Sequence, residues 1–126
     1  MGCMLCGNVE PSRLARLTEG LRALDQMRYR DSYDILHPLA ASGDPIAQCR
    51  LGSMLQLGIG VDTNGDEAAR YYRLAGAAGC ALAWNNLATL CALGTETQPP
   101  DKDEARKCYE KALALGFDCA TGNPYR

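Results

Sequence analysis

Apolar residues recur at helical spacing along much of the chain. Ala47, Leu51 and Leu55 stand at i, i+4 and i+8, and Ala83, Leu87 and Cys91 repeat the pattern, so each trio lines one face of a predicted α-helix. A second stripe follows each first one: Ala68, Tyr72 and Ala75, then Ala105, Tyr109 and Ala112. Gly58 and Gly94 lie just past the first stripes, where tolerance of positive φ suits a helix end. Asp66 and Asp103 lie near the start of the second stripes, where a cap or a partner for the helix dipole belongs. Two helical hairpins follow from this pattern.

The hairpins are copies of one unit. Ala47 to Gly52 aligns with Ala83 to Ala88 at an offset of 36, while Glu67 to Ala75 aligns with Glu104 to Ala112 at 37, so one loop residue has been added between them. A diverged third copy comes first, in which Gly43, Ile46 and Ala47 match Gly79, Leu82 and Ala83, again at 36. From Gly20 to Ser32 is 12 positions, against 16 from Gly52 to Ala68 and 17 from Ala88 to Ala105, so the later inter-helix loops are expected to be longer by four or five residues. Periods of this size belong to repeat architectures, whose units cannot bury their apolar faces alone and therefore stack. The expected organisation is a flexible N-terminal segment, 1–11, a single helical-repeat domain, 12–117, and a tail, 118–126. Within the domain the hairpins occupy 12–43, 44–79 and 80–117.

Composition agrees with an all-α fold and narrows the partners. At 126 residues and 47% hydrophobic content, one domain with a real core is expected. Thirteen Lys and Arg against fifteen Asp and Glu give a net charge of −2, which leaves no global positive field for nucleic acid or anionic lipid. No stretch reaches the roughly 20 apolar residues that span a bilayer, and no basic region followed by an apolar run opens the chain. Seven cysteines, an odd number without a secretory signal, fit reduced thiols and a cytoplasmic location.

Trp84-x-x-Leu87-Ala88-x-x-Cys91 followed by Ala105-x-x-x-Tyr109 resembles the tetratricopeptide pattern. Ala47-x-x-x-Leu51-Gly52, Gly58-x-Gly60-Val61, Ala68 and Tyr71-Tyr72-x-x-Ala75 are similar, more specifically, to the Sel-one-like repeat, whose longer loop carries G-x-G-V. The likeness covers residues 12 to 117. It is close over 44–79, loses the G-x-G-V loop to Gly94-Thr-Glu-Thr-Gln-Pro-Pro over 80–117, and is nearer a plain tetratricopeptide hairpin over 12–43.

The resemblance implies a short right-handed α-solenoid of about three antiparallel hairpins, with Leu51, Gly52, Tyr72, Ala75, Trp84, Leu87, Tyr109 and Ala112 at structural repeat positions. Trp84 is then expected to pack between the helices of a hairpin. First helices of such repeats line a concave surface, which puts Ser53 and Gln56 beside Asn85 and Thr89 as candidate partner-binding residues. Short polar side chains in a row suit capture of an extended backbone better than small-molecule chemistry; solvated helix positions are the plainer alternative. The expected function is a non-enzymatic scaffold for a protein or peptide partner, with no cofactor. The open repeat ends also admit end-to-end self-association, with Phe117 and Tyr125 as candidates to cover the last helix.

The remaining features carry less. His37, the only histidine, has neither a nucleophile nor a ligand set nearby in sequence and is expected to be structural or solvated. Cys3 and Cys6 form a C-x-x-C that suits metal or redox chemistry, but a tetrahedral site needs four ligands and no second such pair exists. Met1-Gly2-Cys3 has the start of an acylation signal without its usual Ser or Thr. Some secreted relatives pair cysteines eight positions apart, but Gly76 and Trp84 stand at the matching places. Some have been described as binding or hydrolysing β-lactams, yet the chain contains no S-x-x-K.

Overall fold

A computed structural model describes residues 2–116, with side chains from Ser12 onward, and within them the chain is all-α. Six helices follow one another: α1 (Gly2–Asp25), α2 (Tyr29–Ala41), α3 (Pro45–Leu57), α4 (Gly65–Ala77), α5 (Ala81–Leu93) and α6 (Lys102–Ala114). Each packs on the helix before it, pairing α1 with α2, α3 with α4 and α5 with α6 into three stacked hairpins. The loops inside the hairpins run over 26–28, 58–64 and 94–101, so the later two exceed the first by the four and five residues read from the repeat spacing. Residues 2–11 continue as helix into the rest of α1. Phe117, Tyr125 and the tail 118–126 lie outside the described residues.

Local chemistry sets the helix ends. Asp44, Asn64 and Asp101 are the N-caps of α3, α4 and α6, each accepting the N–H of the residue three further on. Asp66 and Asp103 sit in the first turns of α4 and α6, where they meet the helix dipole without being the caps. The second helices of the first two hairpins, α2 and α4, end in a Schellman pair: Asp44 N–H donates to Leu39 O and Gly43 N–H to Ala40 O, as Cys80 does to Ala75 and Gly79 to Gly76. The same pair ends α1, but there the left-handed residue is Met27, at φ 62°.

The core is one continuous cluster through all three hairpins. Leu36, Leu39, Leu51, Met54, Tyr72, Leu87 and Cys108 are fully enclosed, and Gly52, Ala75, Tyr109 and Ala112 are buried with them. Close helix approach rests on missing side chains. A Cβ on Gly20 would lie 2.7 Å from Leu36 Cδ2, and one on Gly52 would lie 2.7 Å from Tyr72 Cε1, far inside normal contact. The buried Ser32 is satisfied, its Oγ donating to Gly20 O at 2.8 Å and tying α2 to α1.

Candidate functional site

Ser53 and Gln56 lie on α3, and Asn85 and Thr89 on α5, the first helices of consecutive hairpins. All four are half-buried. Tyr72 of α4 joins them from below: its hydroxyl donates to Gln56 Oε1 at 2.7 Å and lies 3.2 Å from Ser53 Oγ, and Asn86 hydrogen-bonds it as well. Burial pushes the Tyr72 phenol up to about 12, so it remains a neutral donor at physiological pH. Ser53 and Thr89 direct their hydroxyls to the carbonyls one turn back, at Cys49 and Asn85. Asn85 differs, because its Oδ1 is buried and has no hydrogen-bond partner.

Trp84 reaches the other helix of its own hairpin, α6, and also the preceding hairpin. The ring lies across the boundary between hairpins, with a Cβ on Gly76 of α4 only 2.5 Å from Trp84 Cε2. Trp84 Nε1 donates to Gly76 O at 2.9 Å, and Lys111 of α6 stands over the ring at 4.4 Å from its centroid. One period earlier, Gln48 Nε2 donates to Ala40 O at 3.2 Å. A donor on the first turn of one repeat thus closes on a carbonyl eight residues back in the preceding repeat, twice at equivalent places. The sequence carried a signal for it, an N–H-bearing side chain at 48 and again at 84.

A family model described as Sel1 repeat matches residues 45–80 and 81–117, well over half of the chain. The chain belongs to the Sel1 repeat family. Two solved structures share the architecture. A Sel1 repeat protein from Oxalobacter formigenes is 28% identical with a TM-score of 0.71, the match covering 79% of this chain and 39% of that one. The protein c5321, a protective antigen of uropathogenic Escherichia coli strains displaying an SLR fold, is 26% identical with a TM-score of 0.76, over 86% of this chain and 24% of that one. The chain therefore spans about two fifths and one quarter of the lengths of these two proteins. No curated protein matches it. Sel1 repeats generally mediate protein–protein interaction.

The two Sel1 repeats diverge in the loop between their helices. In the first, Gly58 adopts φ 69°, ψ 40°, and the chain turns inward so that Ile59 and Val61 pack on the core and Gly60 meets the backbone of Tyr29. In the second, Gly94 adopts φ 84°, ψ 167°, and the chain leaves in another direction. Thr95 and Thr97, at the places of Ile59 and Val61, donate to Asp66 Oδ1 at 2.5 and 2.9 Å, and those hydroxyls hold its carboxyl below the usual range. Glu96 Oε1 accepts the N–H of Gly65 at 2.9 Å and of Asp66 at 3.3 Å. Both loops then rejoin the same anchor, with Asn64 N–H donating to Leu55 O and Asp101 N–H to Cys91 O. Under the second loop lies a cavity of about 600 Å³ between α4, α5 and the start of α6.

The thiols are structural in their surroundings. Cys49 and Cys108 are buried, Cys80 and Cys91 half-buried, and all four are free. Burial pushes Cys49 and Cys108 each up to about 12, which suppresses the reactive thiolate. The Cys3 and Cys6 side chains lie outside the described ones. Among the described residues no group of three or more His, Cys, Asp or Glu is placed to hold a metal ion. His37 is exposed, its ring 5.4 Å from that of Tyr33 one turn earlier. Among the described residues no helix is long and apolar enough to cross a membrane.

Proposed function

We propose that this Sel1 repeat chain is a non-enzymatic binding module that holds an extended segment of a partner protein against Ser53, Gln56, Asn85 and Thr89. The observation that carries the proposal is that Ser53, Gln56, Asn85 and Thr89 stand half-buried on the first helices of consecutive hairpins, where their polar surface suits the backbone of an extended segment. Ser53 and Thr89 retain accepting lone pairs, since their hydroxyl protons already point to the backbone.

The test uses a partner recovered by co-purification with the tagged chain from its native cell and then titrated against variants. Thr89→Arg projects a long charged side chain over the row without touching the Tyr72 hydroxyl, and Asn85→Leu removes a polar side chain from it. Both variants are expected to keep the helical circular dichroism and lose at least tenfold in affinity. Unchanged affinity in both folded variants rejects the row as the binding surface.

A further inference from the structure

The chain contains one Asn-Gly step, Asn64-Gly65; its other asparagines precede Val9, Asn86, Leu87 and Pro124. Asn-Gly is the step most open to deamidation, because glycine has no side chain to keep its nitrogen off the preceding carboxamide carbon and bends freely into the ring-closing geometry. The structure ties down both reacting groups. Asn64 is extended, at φ −149° and ψ 91°, and its carboxamide oxygen accepts the Glu67 N–H at 3.0 Å. The Gly65 N–H, on the first residue of α4, is one of those that a helix start leaves without an internal acceptor. Its acceptor is Glu96 Oε1, at 2.9 Å, reached from the loop of the next repeat.

We propose that Asn64 is a deamidation site that Glu96 holds shut and that opens when the 94–101 loop lifts from α4. The reaction needs the Gly65 nitrogen deprotonated. A carboxylate bonded to its N–H opposes that step, since it stabilises the proton and repels the amide anion. With Glu96 withdrawn, the nitrogen attacks the Asn64 carboxamide carbon. A new C–N bond closes a succinimide ring, and the old one breaks to release ammonia, which takes up the amide's proton. Water then opens the ring at either carbonyl and leaves aspartate or isoaspartate. The product alters the contact that guarded it. Aspartate keeps a capping acceptor but adds a carboxylate to the helix start that already holds Asp66 and Glu96, and isoaspartate lengthens the backbone by one methylene at the cap. Both disfavour the return of the loop, so a transient local opening between the second and third hairpins is recorded as a covalent change.

The experiment incubates the whole chain at mildly alkaline pH and follows the tryptic peptide 51–70, which spans Asn64, by mass spectrometry, with an isoaspartyl methyltransferase to count isoaspartate. The folded parent is expected to deamidate at Asn64 at least about tenfold more slowly than the same chain in concentrated urea. Glu96→Ala, at an exposed loop position, should keep the helical circular dichroism and deamidate about fivefold faster than the parent, the factor that one hydrogen bond contributes. Glu96→Gln still offers an acceptor oxygen and should stay within about twofold of the parent. Tyr72→Phe lowers stability without touching the start of α4 and is expected to leave the rate at the parental value, which separates release of the Gly65 N–H from general loosening. Asn64→Asp, the product in place from the outset, should unfold at a lower urea concentration than the parent at low salt, with the deficit closing at high salt. A parental rate in Glu96→Ala, an equal acceleration in Glu96→Gln or Tyr72→Phe, deamidation of the folded parent as fast as in urea, or an Asn64→Asp chain as stable as the parent at low salt overturns the proposal.

Discussion

Gly58 and Gly94 hold the same place in successive repeats, and each needs glycine for a different reason. The left-handed geometry of Gly58 is one that Asn also visits, whereas φ 84° with ψ 167° at Gly94 is open essentially to glycine alone. A Cβ at Gly94 would also stand 2.9 Å from Gln98 O. Gly94→Ala is expected to cost about 1–3 kcal/mol in urea unfolding. Met27 is the opposite case, an exposed side chain in the left-handed position that glycine fills at the ends of α2, α4 and α6. Met27→Gly is therefore expected to stabilise the chain by about 1 kcal/mol, and a lower melting temperature in this variant refutes the strain. Tyr72 gives a pH signature. Its folded pKa of about 12 stands above the usual 10, so its contribution is complete below pH 10 and is lost as pH rises from 10 to 12. Tyr72→Phe should lose about 1 kcal/mol at pH 7 with the Gln56 bond and show a shallower fall in stability across that window than the parent chain.

Among the elements, the N-terminus of α4 shows how one repeat completes another. Asn64 accepts the Glu67 N–H, and Glu96, from the next repeat's loop, accepts those of Gly65 and Asp66. Three of the four N–H groups that a helix start leaves unpaired are thereby met. Asn64→Ala and Glu96→Ala are each expected to cost about 1 kcal/mol, and a double-mutant cycle should show a coupling well above the error of additivity, because the two act on one helix end. Strict additivity removes the link. The hairpins, their order and their loop lengths were legible because they follow from periodicity and repeat spacing, which need no partner to interpret. Glu96 was not, since its role depends on where the loop after Gly94 goes, and that is set by a ψ angle that glycine's permissiveness leaves open. The caps were half legible: a short polar residue was expected at the starts of α4 and α6, but Asn64 and Asp101 stand two places before the aspartates read from the stripes. That Ser53, Gln56, Asn85 and Thr89 lie on first helices was legible from the stripes and their grouping as a row was implied by the family resemblance alone, while the bond from Tyr72 to Gln56 required knowing that the second helix's tyrosine reaches through the hairpin.

At the scale of the molecule, stability in a stacked repeat is a sum of hairpin terms and nearest-neighbour interfaces, and the interface between the second and third hairpins is concentrated at Trp84. The ring fills the space over Gly76, its N–H pairs with a carbonyl of α4, and Lys111 of α6 lies on its other side. The equivalent place one interface earlier holds Gln48, which makes the same kind of bond without an aromatic ring. Trp84→Ala removes packing, hydrogen bond and cation contact together. Because the side chain is half-buried, the cost should fall at or below the lower end of the about 3–5 kcal/mol typical of a core Trp. If the interfaces are separable, the loss is local: amide exchange in α5 and α6 accelerates by two or more orders of magnitude, while α2 and α3 retain their protection because the Gln48 bond and the Leu36, Leu39 and Leu51 packing are untouched. Trp84→Phe keeps part of the packing and drops the N–H, so its effect should lie between parent and alanine and remain confined to the same two helices. Uniform acceleration across α1 to α6 in both variants means instead that the three hairpins unfold as one unit, and the nearest-neighbour description fails for a stack this short.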